Sequence, residues 1–172
     1  TDLQQAISSL SVRSGDLHRY FVESLVDHLP PEAAQFLVLV AFVDNLSPAL
    51  CEAITLQPDC AATLSRLREL TPIFSESVDG DWSRIHPLAR EFLVSRFAQL
   101  PEAERREYRG RAARWLEAHG QYEEAARQML EAGLVDTAYG LVARVLHDVL
   151  IRGQVSVVAD WIERLPQAEI LG

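Results

Sequence analysis

Few residues in this sequence have the type and spacing that chemistry needs. Cys51 and Cys60 stand nine positions apart, with no His or Cys at ligand spacing, which argues against zinc. Two cysteines are also too few for a disulfide scaffold. The eight glycines are isolated, and none stands in a GxxxxGK(S/T) phosphate loop. There is no His-Glu-x-x-His, no Gly-x-Ser-x-Gly and no setting for a cysteine nucleophile. The acidic pairs Glu123-Glu124 and Glu102/Glu104 lie beside arginines on helical patterns, where i,i+4 pairing explains them better than acid–base work. His18, His28, His119 and His147 are scattered without ligand spacing. The run Arg105-Arg106-Glu107-Tyr108-Arg109-Gly110-Arg111 is the one basic patch, balanced by Glu102, Glu104 and Glu107. An exposed helix face is its simplest reading, and anion binding the sharper one. No catalytic constellation emerges, so an enzyme is the least favoured class.

The elements around these residues are mostly helical. Asp16 is a candidate N-cap for a helix carrying Leu17, Tyr20, Phe21, Leu25 and His28. Leu29-Pro30-Pro31-Glu32 closes it and starts the next, with Pro31 in the first turn. The run Phe36 to Val43 is nearly all apolar. A buried strand competes there, but Glu32-Ala33-Ala34-Gln35 leads in with helix formers, so a helix from Glu32 to about Phe42 is expected. Ser47 then caps a short helix with Pro48 at its first position. Asp59 caps another, with Leu64, Leu67 and Leu70 facing inward.

At Ile73 the period changes from helical to alternating. Ile73 to Val78 and Trp82 to His86 alternate around Asp79-Gly80-Asp81, a strong hairpin signal. Pro87 starts a helix through Leu88, Phe92, Leu93, Phe97 and Leu100. Three helices, a two-stranded wing and a further helix make a winged-helix arrangement.

From Glu104 onward the pattern is helical throughout. Gly120 and Gly133 are C-caps, and Gly153 closes the stripe that runs from Leu134 to Val149. A last helix carries Val155, Val158, Trp161, Ile162 and Leu165. A shift of 33 positions lays Gly120-Gln121-Tyr122 on Gly153-Gln154-Val155, Ala126 on Ala159, Met129 on Ile162, Tyr108 on Leu141 and Ala112 on Val145. That period fits helix-turn-helix units of tetratricopeptide type, and an antiparallel bundle would give similar spacing. Trp115, Tyr122 and Trp161 read as packing residues between helices, and Met129 as core.

The fold class expected is therefore mainly α: a winged-helix domain with a small β-hairpin, then antiparallel helical hairpins of TPR-like type. The expected divisions are a lead-in helix over 1–30, the winged helix over 31–100, and a helical arm with the start of a TPR-like superhelix over 101–172. The 172 residues and 19.3 kDa suffice for one good core or two small units. With 48% hydrophobic and 24% charged residues, the chain is neither disordered nor membrane-like on average. It has no apolar run long enough to span a bilayer and no basic start of a signal peptide. All 16 basic residues are arginine, which reads first as genome composition. The polar opening and the stop at Ile170-Leu171-Gly172, just after a helix begins, suggest a segment of a larger protein.

Winged helices often bind DNA. The recognition-helix candidate Cys60 to Glu69 offers two arginines among small and apolar residues. From Glu32 to Gln99 nine acidic residues face five arginines, and the whole chain carries −9. Such a surface repels the phosphate backbone, so DNA binding by this segment is disfavoured.

The string Ser83-Arg84-Ile85-His86-Pro87-Leu88-Ala89-Arg90-Glu91-Phe92-Leu93 carries a family resemblance. With its His-Pro-Leu-x-Arg-Glu-Phe-Leu after a winged hairpin, it resembles the large bacterial LuxR-type, ATP-dependent transcriptional regulators. These are similar to the maltose-regulon activator and belong to the STAND class of signalling ATPases. Leu29-Pro30-Pro31-Glu32, Leu46-Ser47-Pro48-Ala49-Leu50-Cys51-Glu52-Ala53, Arg105-Arg106 through Gly120, Glu124-Ala125-Ala126 and Trp161-Ile162-Glu163-Arg164-Leu165-Pro166 follow the family in order and spacing. The likeness covers roughly residues 17–166. Ile85 stands where the family usually has an aromatic residue, and Ala89 where it often has Phe.

The resemblance implies a non-catalytic regulatory segment of a cytoplasmic regulator. In the parent protein it implies ATP or ADP as cofactor, with none held by this segment alone. His86 matches the histidine that contacts the phosphates of bound ADP in that class. The implied partners are the nucleotide-binding domain of the same chain and a small-molecule or protein inducer bound through the superhelix. DNA would be a partner only through a C-terminal helix-turn-helix, and no membrane is implied. Two rivals remain: a helical protein–protein interaction adaptor, and a winged-helix DNA-binding domain.

Overall fold

Pro31 supplies a fixed φ and needs no N–H partner, so it opens the first helix of the winged domain, α1 (Pro31–Val40). The computed structural model describes Tyr20 and residues 22–75 and 82–151. The Asp16 cap, the Asp79-Gly80-Asp81 turn, the Gly153 closure, the last helix around Trp161 and half of the 33-residue repeat lie outside the described residues.

The described residues fall into two compact units, one up to Tyr108 and one from Arg109 on. In the first, residues 22–27 are helical and precede α1. The apolar run of α1 is helix rather than strand. It ends at Val40, two residues earlier than its pattern suggests, yet Ala41, Phe42 and Val43 stay buried in the turn that follows. Phe42 stacks on Phe97 with ring centroids 4.8 Å apart, which explains why an apolar sequence continues past the helix.

Helix α2 (Pro48–Thr55) starts as expected, with Ser47 Oγ accepting the Leu50 N–H at 3.2 Å. It ends at Leu56 in the left-handed region. Helix α3 (Cys60–Leu70) follows, and here two expectations fail. Asp59 holds the N-cap position but sits at φ 60°, outside the extended region that aims a capping side chain, and it makes no cap bond. Leu70, expected inward with Leu64 and Leu67, is 49% exposed; it is the last helical residue, and Thr71 turns inward in its place.

Strands β1 (Phe74–Ser75) and β2 (Arg84–Ile85) pair antiparallel, Phe74 with Ile85 and Ser75 with Arg84. Leu46, between α1 and α2, adds a third strand position on the far side of β2. It exchanges both backbone hydrogen bonds with Ser83 at 2.7 Å. The alternation read from sequence is present: Ser83 and Ile85 are buried, Arg84 and His86 exposed. Helix α4 (Pro87–Phe97) then returns to pack on α1. The core is built from Phe36, Leu37, Leu46, Leu50, Ile54, Leu64, Leu67, Leu93 and Phe97, each worth roughly 1.5–3 kcal/mol of burial.

Helix α5 (Glu102–Ala118) crosses from the first unit to the second. In the second unit α6 (Tyr122–Glu131) packs against α7 (Val135–Ile151). Gly120 and Gly133, at φ 75° and 74°, make the left-handed turns that a side chain would strain. Tyr122, read as an inter-helix packing residue, is 38% exposed because it stands at the first position of α6. The core of this unit is Ala112, Ala113, Leu116, Ala125, Met129, Ala138 and Leu141. Among the described residues no helix is long and apolar enough to cross a membrane.

Candidate functional site

His86 stands at the corner where the wing becomes α4. Its backbone N–H donates to the Ile73 carbonyl at 2.7 Å, fixing it to the wing. Its carbonyl accepts the Arg90 N–H at 2.9 Å, the first turn of α4. Pro87 sits at the first helical position and sets the direction of the turn. The imidazole makes no capping bond and is exposed. The two structural roles open to this side chain, helix cap and packing under the wing, are therefore not filled.

Two arginines flank that corner and both reach the same loop. Arg84, on β2, donates from Nε and Nη2 to Asn45 Oδ1 at 3.2 and 3.0 Å. Arg90, one helical turn past His86, donates from Nη2 to the Phe42 carbonyl at 3.0 Å and pairs with Asp44 Oδ1 at 2.9 Å. Between them lies an open groove of about 580 Å³, lined by Asp44, Asn45, Arg84, Ile85, Pro87, Arg90, Glu91 and Val94. His86 is not itself in the lining; it stands between Ile85 and Pro87, which are. The groove's charges balance, two guanidinium groups against two carboxylates. Guanidinium donors held in place, a helix N-terminus and an exposed imidazole at the edge are groups that can receive an oxyanion.

The sequence singled out His86 but missed Asp44, Asn45, Arg84 and Arg90 as its neighbours. The available signal was local: an arginine two positions before His86 on the same strand face, and another four positions after it on the helix.

The other sequence candidates resolve differently. Cys51 and Cys60 are free and buried. Burial pushes both thiols up from their ordinary value; Cys60 and then Glu52 add to the shift at Cys51, while at Cys60 a Thr55 hydrogen bond opposes it and Glu52 and Asp59 add smaller pushes. They are not poised nucleophiles. On α3, Arg68 donates to Ser83 Oγ and is held to the wing, while Arg66 is exposed. In the basic run, Arg105 donates to the Leu100 carbonyl at 3.1 Å. Arg109 serves the second unit: it donates to Gln128 Oε1 at 2.6 Å and pairs with Glu131 Oε2 at 2.6 Å. A shallower groove of about 490 Å³ lies in that unit, lined by Arg114, Glu117, Ala118, Tyr122, Leu141, Arg144 and Val145. Arg144 and Glu117 form an ion pair on its rim. His119 stacks on Trp115 with ring centroids 3.7 Å apart.

Comparison with known proteins bears on the same region. Residues 22–106 match the family described as the MalT winged helix domain. The whole chain is similar to a stretch of the serine/threonine-protein kinase PknK of Mycobacterium tuberculosis, 24% identical over 172 residues, which is 99% of this chain and 15% of that protein. It is also similar to the HTH-type transcriptional regulator AlkS of Alcanivorax borkumensis, 25% identical over 150 residues, 86% of this chain and 17% of the relative. AlkS of Pseudomonas putida is 26% identical over 161 residues, 90% of this chain and 18% of the relative. The chain thus spans less than a fifth of the length of these curated relatives. The family match falls on the winged-helix part of the chain and on the start of the helix that follows it.

Proposed function

We propose that this chain is a non-catalytic regulatory segment of an ATP-dependent, signal-responsive transcription regulator of the LuxR and STAND type, working in the cytoplasm. Its parts are a lead-in helix (1–30), the winged helix (31–100), and an arm with the start of a TPR-like superhelix (101–172). It couples the nucleotide state of a nucleotide-binding domain in the same chain to a helical sensor that takes a small-molecule or protein inducer. DNA is bound elsewhere in the parent protein.

One observation carries this reading: His86 is fixed through its backbone at the wing–helix corner while its imidazole stays exposed and takes no structural role. ATP or ADP is the implied cofactor, and the residues present fit only its phosphoryl end. An exposed imidazole, Arg84 and the N-terminus of α4 are oxyanion donors. No glycine-rich phosphate loop exists in the sequence, so the rest of the nucleotide needs another domain. Bound nucleotide would supply a fixed anionic partner to this corner. His86 would donate to a phosphate oxygen, and the bond would exist in one state of the regulator and not the other. Only such a differential contact shifts a two-state equilibrium. The backbone bond to Ile73 would transmit the movement of the corner to the wing.

The kinase name of one relative belongs to that protein; the part aligned here is 15% of it.

The test is His86→Ala in the parent regulator. ADP should be lost about tenfold faster, since a hydrogen bond to a charged group is worth about 1.5–3 kcal/mol, and basal transcription should rise. Unchanged ADP release together with unchanged basal transcription would sink the proposal.

A further inference from the structure

The Arg90–Asp44 pair joins the element that carries His86 to a loop far away in sequence. Arg90 lies four residues after His86 on α4; Asp44 lies in the turn after α1. The same guanidinium holds the Phe42 carbonyl, and Arg84 holds Asn45 on the other side of the groove. Both cations that flank the corner are thus engaged by the segment Phe42–Asn45, one of them by a full carboxylate. The side chains of Arg90 and Asp44 are 29% and 49% exposed. Among the described residues, Arg90 Nε is buried without a hydrogen-bond partner. A guanidinium has five N–H donors, so this one is held short of its full set inside a groove open to solvent.

A carboxylate and a phosphoryl oxygen ask the same geometry of arginine. We infer that Asp44 is a resident competitor: its carboxylate occupies Arg90 in the ligand-free groove, and an incoming phosphoryl oxyanion takes Arg90 over as Asp44 withdraws. This rests on the proposed role of His86 and adds to it the group that sets how tightly the corner can hold an anion. The pair is half-exposed, so exchanging its anion costs little.

The test is anion binding by the parent regulator with this segment isotope-labelled, read from the imidazole resonances of His86 and the guanidinium resonance of Arg90 by NMR. Pyrophosphate and ADP are the probes, and Asp44→Asn, Arg90→Gln and His86→Ala the variants. Asp44→Asn keeps size and hydrogen-bonding capacity, and a half-exposed pair contributes little to folding, so the variant folds. It should lower the half-saturation concentration roughly fivefold for both probes, by removing one negative charge within contact distance of the site. Adding Arg90→Gln to Asp44→Asn should abolish that gain. An Asp44→Asn chain that binds no tighter than the wild type, that gains with only one probe, or that keeps its gain without Arg90 overturns the inference. Weaker binding in His86→Ala tests the parent reading alone: if His86→Ala binds like the wild type while Asp44→Asn still gains, the role of His86 fails and the competitor role of Asp44 stands.

Discussion

The backbone N–H of His86 donates to the Ile73 carbonyl across the wing at 2.7 Å, while the His86 imidazole makes no cap bond to α4. Position is set by the backbone and chemistry is left to the side chain. Replacing His86 with Ala should therefore leave stability within about 0.5 kcal/mol of the wild type, since surface changes away from caps and networks rarely exceed that. Urea denaturation checks it. A loss of about 2 kcal/mol would mean that the imidazole is structural.

Gln128 should behave in the opposite way. It is fully buried, accepts from Arg109 at 2.6 Å and donates to Glu124 at 2.8 Å, joining α5 to α6. Gln128→Leu takes one acceptor from Arg109, which keeps its pairing with Glu131, and should cost about 1–3 kcal/mol. Adding Arg109→Met removes the under-bonded donor and should recover part of that loss. Thermal unfolding of the two variants gives the comparison. No recovery in the double variant would place the cost in packing instead.

The two buried thiols set an alkaline limit. Folding holds Cys51 and Cys60 above the ordinary thiol value of 9.0, Cys51 most strongly, because burial penalises the thiolate. Above that value the unfolded chain releases protons that the folded chain keeps. Unfolding then gains on folding, and stability falls as pH rises. Cys51→Ala should flatten the decline between about pH 8.5 and about pH 10.5, measured by urea midpoints. An equal slope in both chains would show that the thiols do not govern it.

The segment should not retard duplex DNA. Its net charge is −9, Arg68 of α3 is tied to Ser83, and acidic residues outnumber arginines across the winged domain. A gel shift at about 50 mM salt favours electrostatic binding as far as practical. A discrete complex under those conditions would restore the DNA-binding reading of α3.

Much of the fold could be read from the sequence because short-range rules decide it. Ser47 and Pro48 announce α2, Gly120 and Gly133 close helices, and the period-two alternation at Ser83–His86 survives as buried and exposed faces. Where the reading missed, tertiary context overrode a local preference. Asp59 is a good capping residue in a backbone conformation that cannot cap, and Leu70 continues an apolar spacing after its helix has left the core. The site was half visible. His86 drew attention through its motif, but its surroundings depend on Arg90 meeting Phe42, 48 positions away. No local pattern encodes that distance closure. The same holds for Gln128, which is buried and accepts from Arg109 of the preceding helix.

The central claim is that His86 is the phosphate-facing group of this segment. The chain holds five histidines, so one titration compares them all. In the parent regulator, with the imidazoles of this segment labelled with ¹⁵N, ADP is added and each ring signal followed. The His86 signals should shift first and furthest, and replacing His86 with Ala should remove the response. Larger shifts at another histidine, or none at saturating ADP, would contradict it.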